Sequence, residues 1–422
     1  MTVSALFFLN KKYINIFYLY IGLVVTIPSN ENLKQMLFLK WGAIDTSFVI
    51  ILLMFTIFLL NVKSFKLLEL DYLMIVIFIL IIVFFIVGFN SKNVFLITDF
   101  KFYISMFVLY FFGRMVITNE TKMKKSLQIM VISSLIYSLV VILLYFSGER
   151  VLSVLYGDTL ANWWGSRVTF SNTSMLLVST CIAIYLLITT KYKIFYSTVL
   201  SINTVAIILS QSKTIITFYG VLIILILLMN FLIVVTKGYL SIKNLKYTYI
   251  FISLLVFFCI LSVTTNFLGD FNLLNNVVNR YTSGNDSLNV RLITNDKALQ
   301  LINSNFFGFG LGKEMYLYNL KGLIELKGLF IDNFYLTVAT KFGVIGVTIF
   351  IILIISPIIL LIKSTYKFKS LLSIYLLVSY ILFLLTSTYM SSQLIYAEPV
   401  SAVFVLFLLF VCLDKPQFKA QR

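Results

Sequence analysis

A succession of twelve apolar runs constrains this chain more than any other feature. They are Ile14–Ile27, Thr46–Leu60, Tyr72–Phe89, Phe102–Ile117, Leu127–Phe146, Thr173–Ile188, Ile194–Leu209, Thr214–Val235, Tyr249–Val263, Phe342–Ile362, Leu371–Tyr389 and Val400–Leu413. The first and last are short and must borrow flanking residues to cross a hydrocarbon layer of about 30 Å. Strand-period alternation is absent, which argues against a porin-like barrel. The expected fold is an all-α polytopic membrane protein with about twelve transmembrane helices.

Composition agrees. Hydrophobic residues make up 60% of the 422 and charged residues only 12%, against roughly 25% charged in soluble domains. The net charge of +17 does not mark a nucleic-acid binder, because the basic residues are scattered between apolar runs. They read as topology signals and contacts to anionic lipid. Cys181, Cys259 and Cys412 all fall in apolar runs, with neither a disulfide framework nor zinc spacing. The chain has no histidine, so the commonest general base and the commonest transition-metal ligand are both missing. The first apolar run lacks a small-residue cleavage site and is expected to stay as a helix.

Alternate loops differ in charge. One set carries nineteen Lys and Arg, and the short loops of the other carry seven, including Lys101; Arg114 is counted in the richer set. The positive-inside rule then puts both termini in the cytoplasm. It turns Ser147–Asn172 and one long loop outward. The chain reads as a single membrane domain: nine helices within 1–268, an outward loop at 269–332, three helices within 333–413 and a tail at 414–422. Inside the loop, Leu288, Leu292, Leu299 and Ile302 recur at helical spacing after Asp286, a plausible N-cap. Ser287–Asn303 is expected to be an amphipathic helix against the outer face of the bundle, with Arg291 in its first turns.

The outward cations Arg167, Lys213, Arg280 and Arg291 are the strongest chemical signal. Together they could hold a diphosphate, because Arg forks match phosphate oxygens. Each could equally pair with Asp270, Asp286 or Asp296, or snorkel to headgroups. Asp332, at the edge of an apolar run, could be a helix cap or a general base whose pKa partial burial raises. Asn333 and Tyr335 follow it. Gly308, Gly310 and Gly312 do not make a dinucleotide fingerprint; a tight turn is expected, whose amides could cradle an anion. Glu314 is a second candidate acid or base. Trp163 and Trp164 could stack on sugar rings or sit at the membrane interface. Lys341 either snorkels outward or pairs with a carboxylate near Asp332.

These pieces, in this order, resemble the O-antigen polymerase and ligase family of bacterial membrane glycosyltransferases. Four segments carry the resemblance: Arg167-Val-Thr-Phe-Ser-Asn, Ser-Gln-Ser-Lys213, Arg291 with Asn305-Phe-Phe-Gly-Phe-Gly, and Asp332-Asn-Phe-Tyr-Leu with Gly343 and Gly346. Family ligases commonly have His-Asn where this chain has Asp332-Asn333, and Arg where it has Lys213. The first departure favours a polymerase. The resemblance implies that an undecaprenyl-diphosphate-linked glycan is transferred onto a lipid-linked repeat unit, building O-antigen, capsular or exopolysaccharide. It implies no cofactor, metal or nucleotide sugar, and it implies a chain-length regulator and a flippase as pathway partners. It assigns Arg167, Lys213, Arg280 and Arg291 to the diphosphates, Asp332 to the acceptor hydroxyl, and Asn333 and Tyr335 to substrate orientation; Glu314 and Trp164 complete the candidate substrate contacts. A ligase is the nearest rival. A lipid-linked oligosaccharide transporter is the rival of another class, but transporters place charges near the midplane of two similar halves.

Overall fold

The computed structural model describes residues 12–28, 45–61, 66–147, 151, 168, 170–210, 212–237, 286–318, 325–368, 371–389 and 393–413. The helices are α1 (Tyr13–Thr26), α2 (Thr46–Asn61), α3 (Glu69–Asn90), α4 (Leu96–Val116), α5 (Glu120–Phe146), α6 (Met175–Thr189), α7 (Lys193–Leu209) and α8 (Lys213–Lys237). They continue with α9 (Asp286–Ser304), α10 (Phe334–Phe368), α11 (Leu371–Leu384), the single turn α12 (Gln393–Tyr396) and α13 (Glu398–Leu413). Eleven of the twelve apolar runs coincide with these helices, and Tyr249–Val263 lies outside the described residues. Five described helices are long and apolar enough to cross a membrane, and six shorter ones are apolar. This is the architecture of a polytopic membrane protein.

Burial sorts the helices. On α13 every residue from Glu398 to Cys412 is buried, and on α6 nearly every one is. A helix apolar all round belongs inside a bundle. By contrast α3, α5 and α10 turn Ile79, Ile86, Leu143, Ile352 and Ile359 outward, as lipid-facing helices do. Polar pairs tie the interior together. Asn203 on α7 accepts from Ser138 of α5 at 2.8 Å and donates to Ser134 at 3.2 Å. Asn172, fully buried, donates to the carbonyls of Val25 and Ile27 at the end of α1, closing a helix terminus that would otherwise bury unpaired acceptors. A two-stranded antiparallel hairpin, β1 (Met315–Tyr318) with β2 (Glu325–Gly328), is the one sheet among the described residues and had no signature in the sequence.

The helix α10 breaks at Gly343, whose φ is 64°. The break frees backbone groups that lipid could not satisfy. The stretch after α9 satisfies them. Val344 N donates to Phe306 O at 3.2 Å, Thr340 O accepts from Phe309 N at 2.9 Å, and Lys341 O accepts from Gly310 N at 3.0 Å. Leu311 N then donates to Phe84 O of α3 at 2.9 Å, and Asn93 Nδ2 holds the carbonyls of Phe309 and Leu311. The expected tight turn is therefore only its first step (Gly308 N to Asn305 O). The rest is an extended seam joining α10, α3 and α4. At Gly310, φ is +85° and an added Cβ would lie 2.3 Å from Gly88 N. Gly310→Ala is expected to cost at least the 1–2 kcal/mol, approximately, of a left-handed alanine, plus the backbone collision. A lowered melting temperature in detergent would register this, and an unchanged one would refute it.

Candidate active site

The first piece of α10, Phe334–Phe342, presents its N-terminus to α9. Asn333 supplies the cap: its Oδ1 accepts from Leu336 N at 3.1 Å. Asp332 is thereby released from capping, and its Oδ2 lies 3.5 Å from Arg291 Nη2 of α9. These two residues, both singled out from the sequence, meet here. Their side chains remain 55% and 41% exposed. Crowding by the surrounding protein pushes the Asp332 carboxyl above its ordinary range, while the Arg291 guanidinium opposes that rise. Solvent over the open half of the side chain moderates the shift. As a contribution to stability, such an exposed pair is worth only about 0–1 kcal/mol.

The other candidates are distributed differently. Tyr335 packs against the core, and its hydroxyl donates to Thr388 at 3.3 Å. Glu314 is held by Lys327 at 2.8 Å. Arg167, Trp164 and Arg280 lie outside the described residues; Lys213 opens α8, with its side chain outside the description.

Three expectations need correction. Lys341 neither snorkels nor reaches a carboxylate near Asp332. It is fully buried, 2.7 Å from Asp99 Oδ2 of α4, and it donates to Tyr396 OH at 2.7 Å. The glycine-run amides cradle no outside anion. They are bonded internally, and the anion they meet is Asp99 itself, which accepts from Gly312 N at 2.6 Å. On α9 the packed face is Thr294, Ala298 and Ile302, whereas Leu292 and Leu299 are exposed. Small Ala298 allows close approach to Met315 and Ile331, which bulky leucines would prevent.

Sequence reasoning also missed the buried charges of α4. Asp99 accepts from Tyr396 OH at 2.9 Å, and Tyr396 also bonds Tyr103 at 3.0 Å. Lys101, counted above as a loop charge, lies 2.6 Å from Asp45, with Glu398 at 3.8 Å. Arg114, also counted as a loop charge, meets Asp71 at 3.3 Å, and Tyr110 donates to the same carboxylate at 2.6 Å. The cost of an ionisable residue among apolar neighbours was the signal available for all three. Phe330 stacks on Tyr396 at 4.7 Å, two residues before Asp332. The buried Asp99–Lys341–Tyr396 network thus ties the short helix that Asp332 precedes to α4 and α12.

No curated protein matches the chain. A family model described as O-antigen ligase does match, over residues 196–351. That segment runs from α7 into α10 and contains Lys213, Arg280, Arg291, Glu314 and Asp332. Over this stretch the resemblance to the O-antigen polymerase and ligase family, read from the sequence, is borne out.

Proposed function

We propose that the protein polymerises undecaprenyl-diphosphate-linked oligosaccharide repeat units by glycosyl transfer at the outer face of the bacterial inner membrane, with both termini cytoplasmic. The observation that carries this reading is the Arg291–Asp332 pair at the head of α10, inside the family-matched segment. Asp332 takes the proton of an acceptor hydroxyl. That oxygen bonds to the anomeric carbon of the donor glycan as the carbon–oxygen bond to undecaprenyl diphosphate breaks. The departing diphosphate leaves with the bonding pair. Arg291, with Arg167, Lys213 and Arg280, stabilises the charge that develops there. Asn333 spends Oδ1 on the cap and offers Nδ2 to a substrate oxygen. Tyr335 fixes the helix start through Thr388, and Glu314 and Trp164 complete the substrate contacts.

The test is reconstitution. Purified protein in nanodiscs, given the lipid-linked repeat unit from its own gene neighbourhood together with chelator and no nucleotide sugar, is expected to give a ladder of repeats on a gel. Folded protein that gives no ladder would remove the polymerase reading. The description of the matching family favours a second reading, a ligase that moves finished glycan to another acceptor. Loss of a polymerase leaves single repeats on the acceptor, whereas loss of a ligase leaves long polymer on undecaprenyl.

A further inference from the structure

The turn that follows α9 exposes apolar side chains. Phe306 and Phe307 are 60% and 73% exposed, and Leu299 and Leu292 are 44% and 54% exposed. Leu292 and Leu299 share one side of α9 with exposed Asp296 and Asn303, so that side is mixed and the apolar surface is concentrated at Phe306 and Phe307.

Two contacts fix how α9 runs. Arg291 meets Asp332 at one end, and Phe306 O meets Val344 N past the other. The helix therefore runs parallel to and alongside the first piece of α10 instead of lying flat over the bundle. The depth of the seam that follows α9 is also fixed. Leu311 N bonds Phe84 O, six residues before the end of α3, which is about 9 Å inside that apolar span at 1.5 Å per residue. Phe306 and Phe307 abut Gly343, and the next residues of α10, Val344 and Ile345, are themselves exposed in the lipid-facing belt.

We infer that Phe306 and Phe307 are seated in the outer leaflet of the bilayer, so that the loop is anchored in lipid at this turn rather than free above it. The occupant of this face is lipid because the face is continuous with the lipid-facing surface of α3 and α10. A water-filled groove would leave two phenylalanines wet beside transmembrane residues. The arrangement sets the Arg291–Asp332 pair near the headgroup level, where a lipid diphosphate sits. That last consequence rests on the proposed function; the anchoring does not.

The test needs no substrate. Nitroxide labels are placed singly at Phe307→Cys and Phe306→Cys in a variant lacking the native cysteines, in nanodiscs, with Lys327→Cys on the exposed hairpin as reference. Spin relaxation by oxygen, which partitions into lipid, is compared with relaxation by a water-soluble nickel chelate. Both test positions are expected to show an oxygen-to-nickel ratio several-fold above that at Lys327. A ratio equal to the reference would overturn the inference. Shielding from both reagents would also overturn it, in favour of a covering protein or a second copy. If Phe307→Cys fails to fold, Phe306→Cys alone decides. Failure here leaves the polymer ladder untouched, and failure of the ladder leaves the label accessibilities untouched.

Discussion

Replacing Lys341 with methionine is expected to destabilise the protein by about 3–5 kcal/mol, the usual cost of stripping one partner from a buried ion pair. The side chain is fully enclosed, and Asp99, equally enclosed, would keep only Tyr396 and the Gly312 amide as donors. The damage should spread. Asp99 ties α4 to the glycine seam, and the seam supplies the hydrogen bonds that α10 lacks at Gly343. The double variant Lys341→Met/Asp99→Asn removes both charges and is expected to recover a large part of the loss. Melting of the four proteins in detergent closes a double-mutant cycle. A strong favourable coupling is expected; additive losses, or a single variant that melts like the parent, would show that the pair does not hold this region together.

Arg291→Ala and Asp332→Asn should behave in the opposite way. The pair is exposed enough that folding and protein level stay near the parent's. Chain elongation, however, should fall by about 10²–10⁴-fold for loss of a positioned base. A comparable fall is expected for loss of a cation aimed at developing charge, about 10²–10³-fold. The pH profile separates the two roles. Asp332 must be ionised to take a proton, so rate is lost as pH drops through its pKa. Crowding raises that pKa, which puts the acid limb of kcat/KM above the ordinary carboxylate range. Arg291 works against the rise. In the residual activity of Arg291→Ala the limb should therefore move further up, and in Asp332→Asn it should vanish. Full elongation by both variants, or an acid limb that ignores Arg291, would sink the assignment.

Residues within one apolar run were legible from sequence because lipid imposes a rule on every position of a spanning helix. Tyr13–Thr26, Thr46–Asn61 and Glu398–Leu413 match the expected runs closely for this reason. Arg291 and Asp332 were legible because charge at a membrane edge is costly wherever its partner lies. What could not be read was pairing across the bundle. Lys341 was expected to snorkel or to pair with a carboxylate near Asp332, but its partner is Asp99 of α4. Asp99 and Lys101 were treated as loop because the run was started at Phe102, whereas the helix begins at Leu96. The spacing of Gly308, Gly310 and Gly312 excluded one nucleotide motif, but its use depends on Gly88 and Gly343, which meet it only in three dimensions. On α9, leucine spacing suggested the packed face, yet close approach selected the small side chains instead.

The interruption at Gly343 has a mechanical consequence. A continuous helix of 35 residues would be about 52 Å long, and any tilt imposed on its buried length by a thinner or thicker bilayer would swing its outer end. Here the first nine residues are fastened to α3, α4 and α12 through the seam and Tyr396, while the remainder answers to the surrounding lipid. Asp332 at the tip is thus isolated from deformations of the surrounding lipid, as a tool rest bolted to the frame is isolated from the drive shaft.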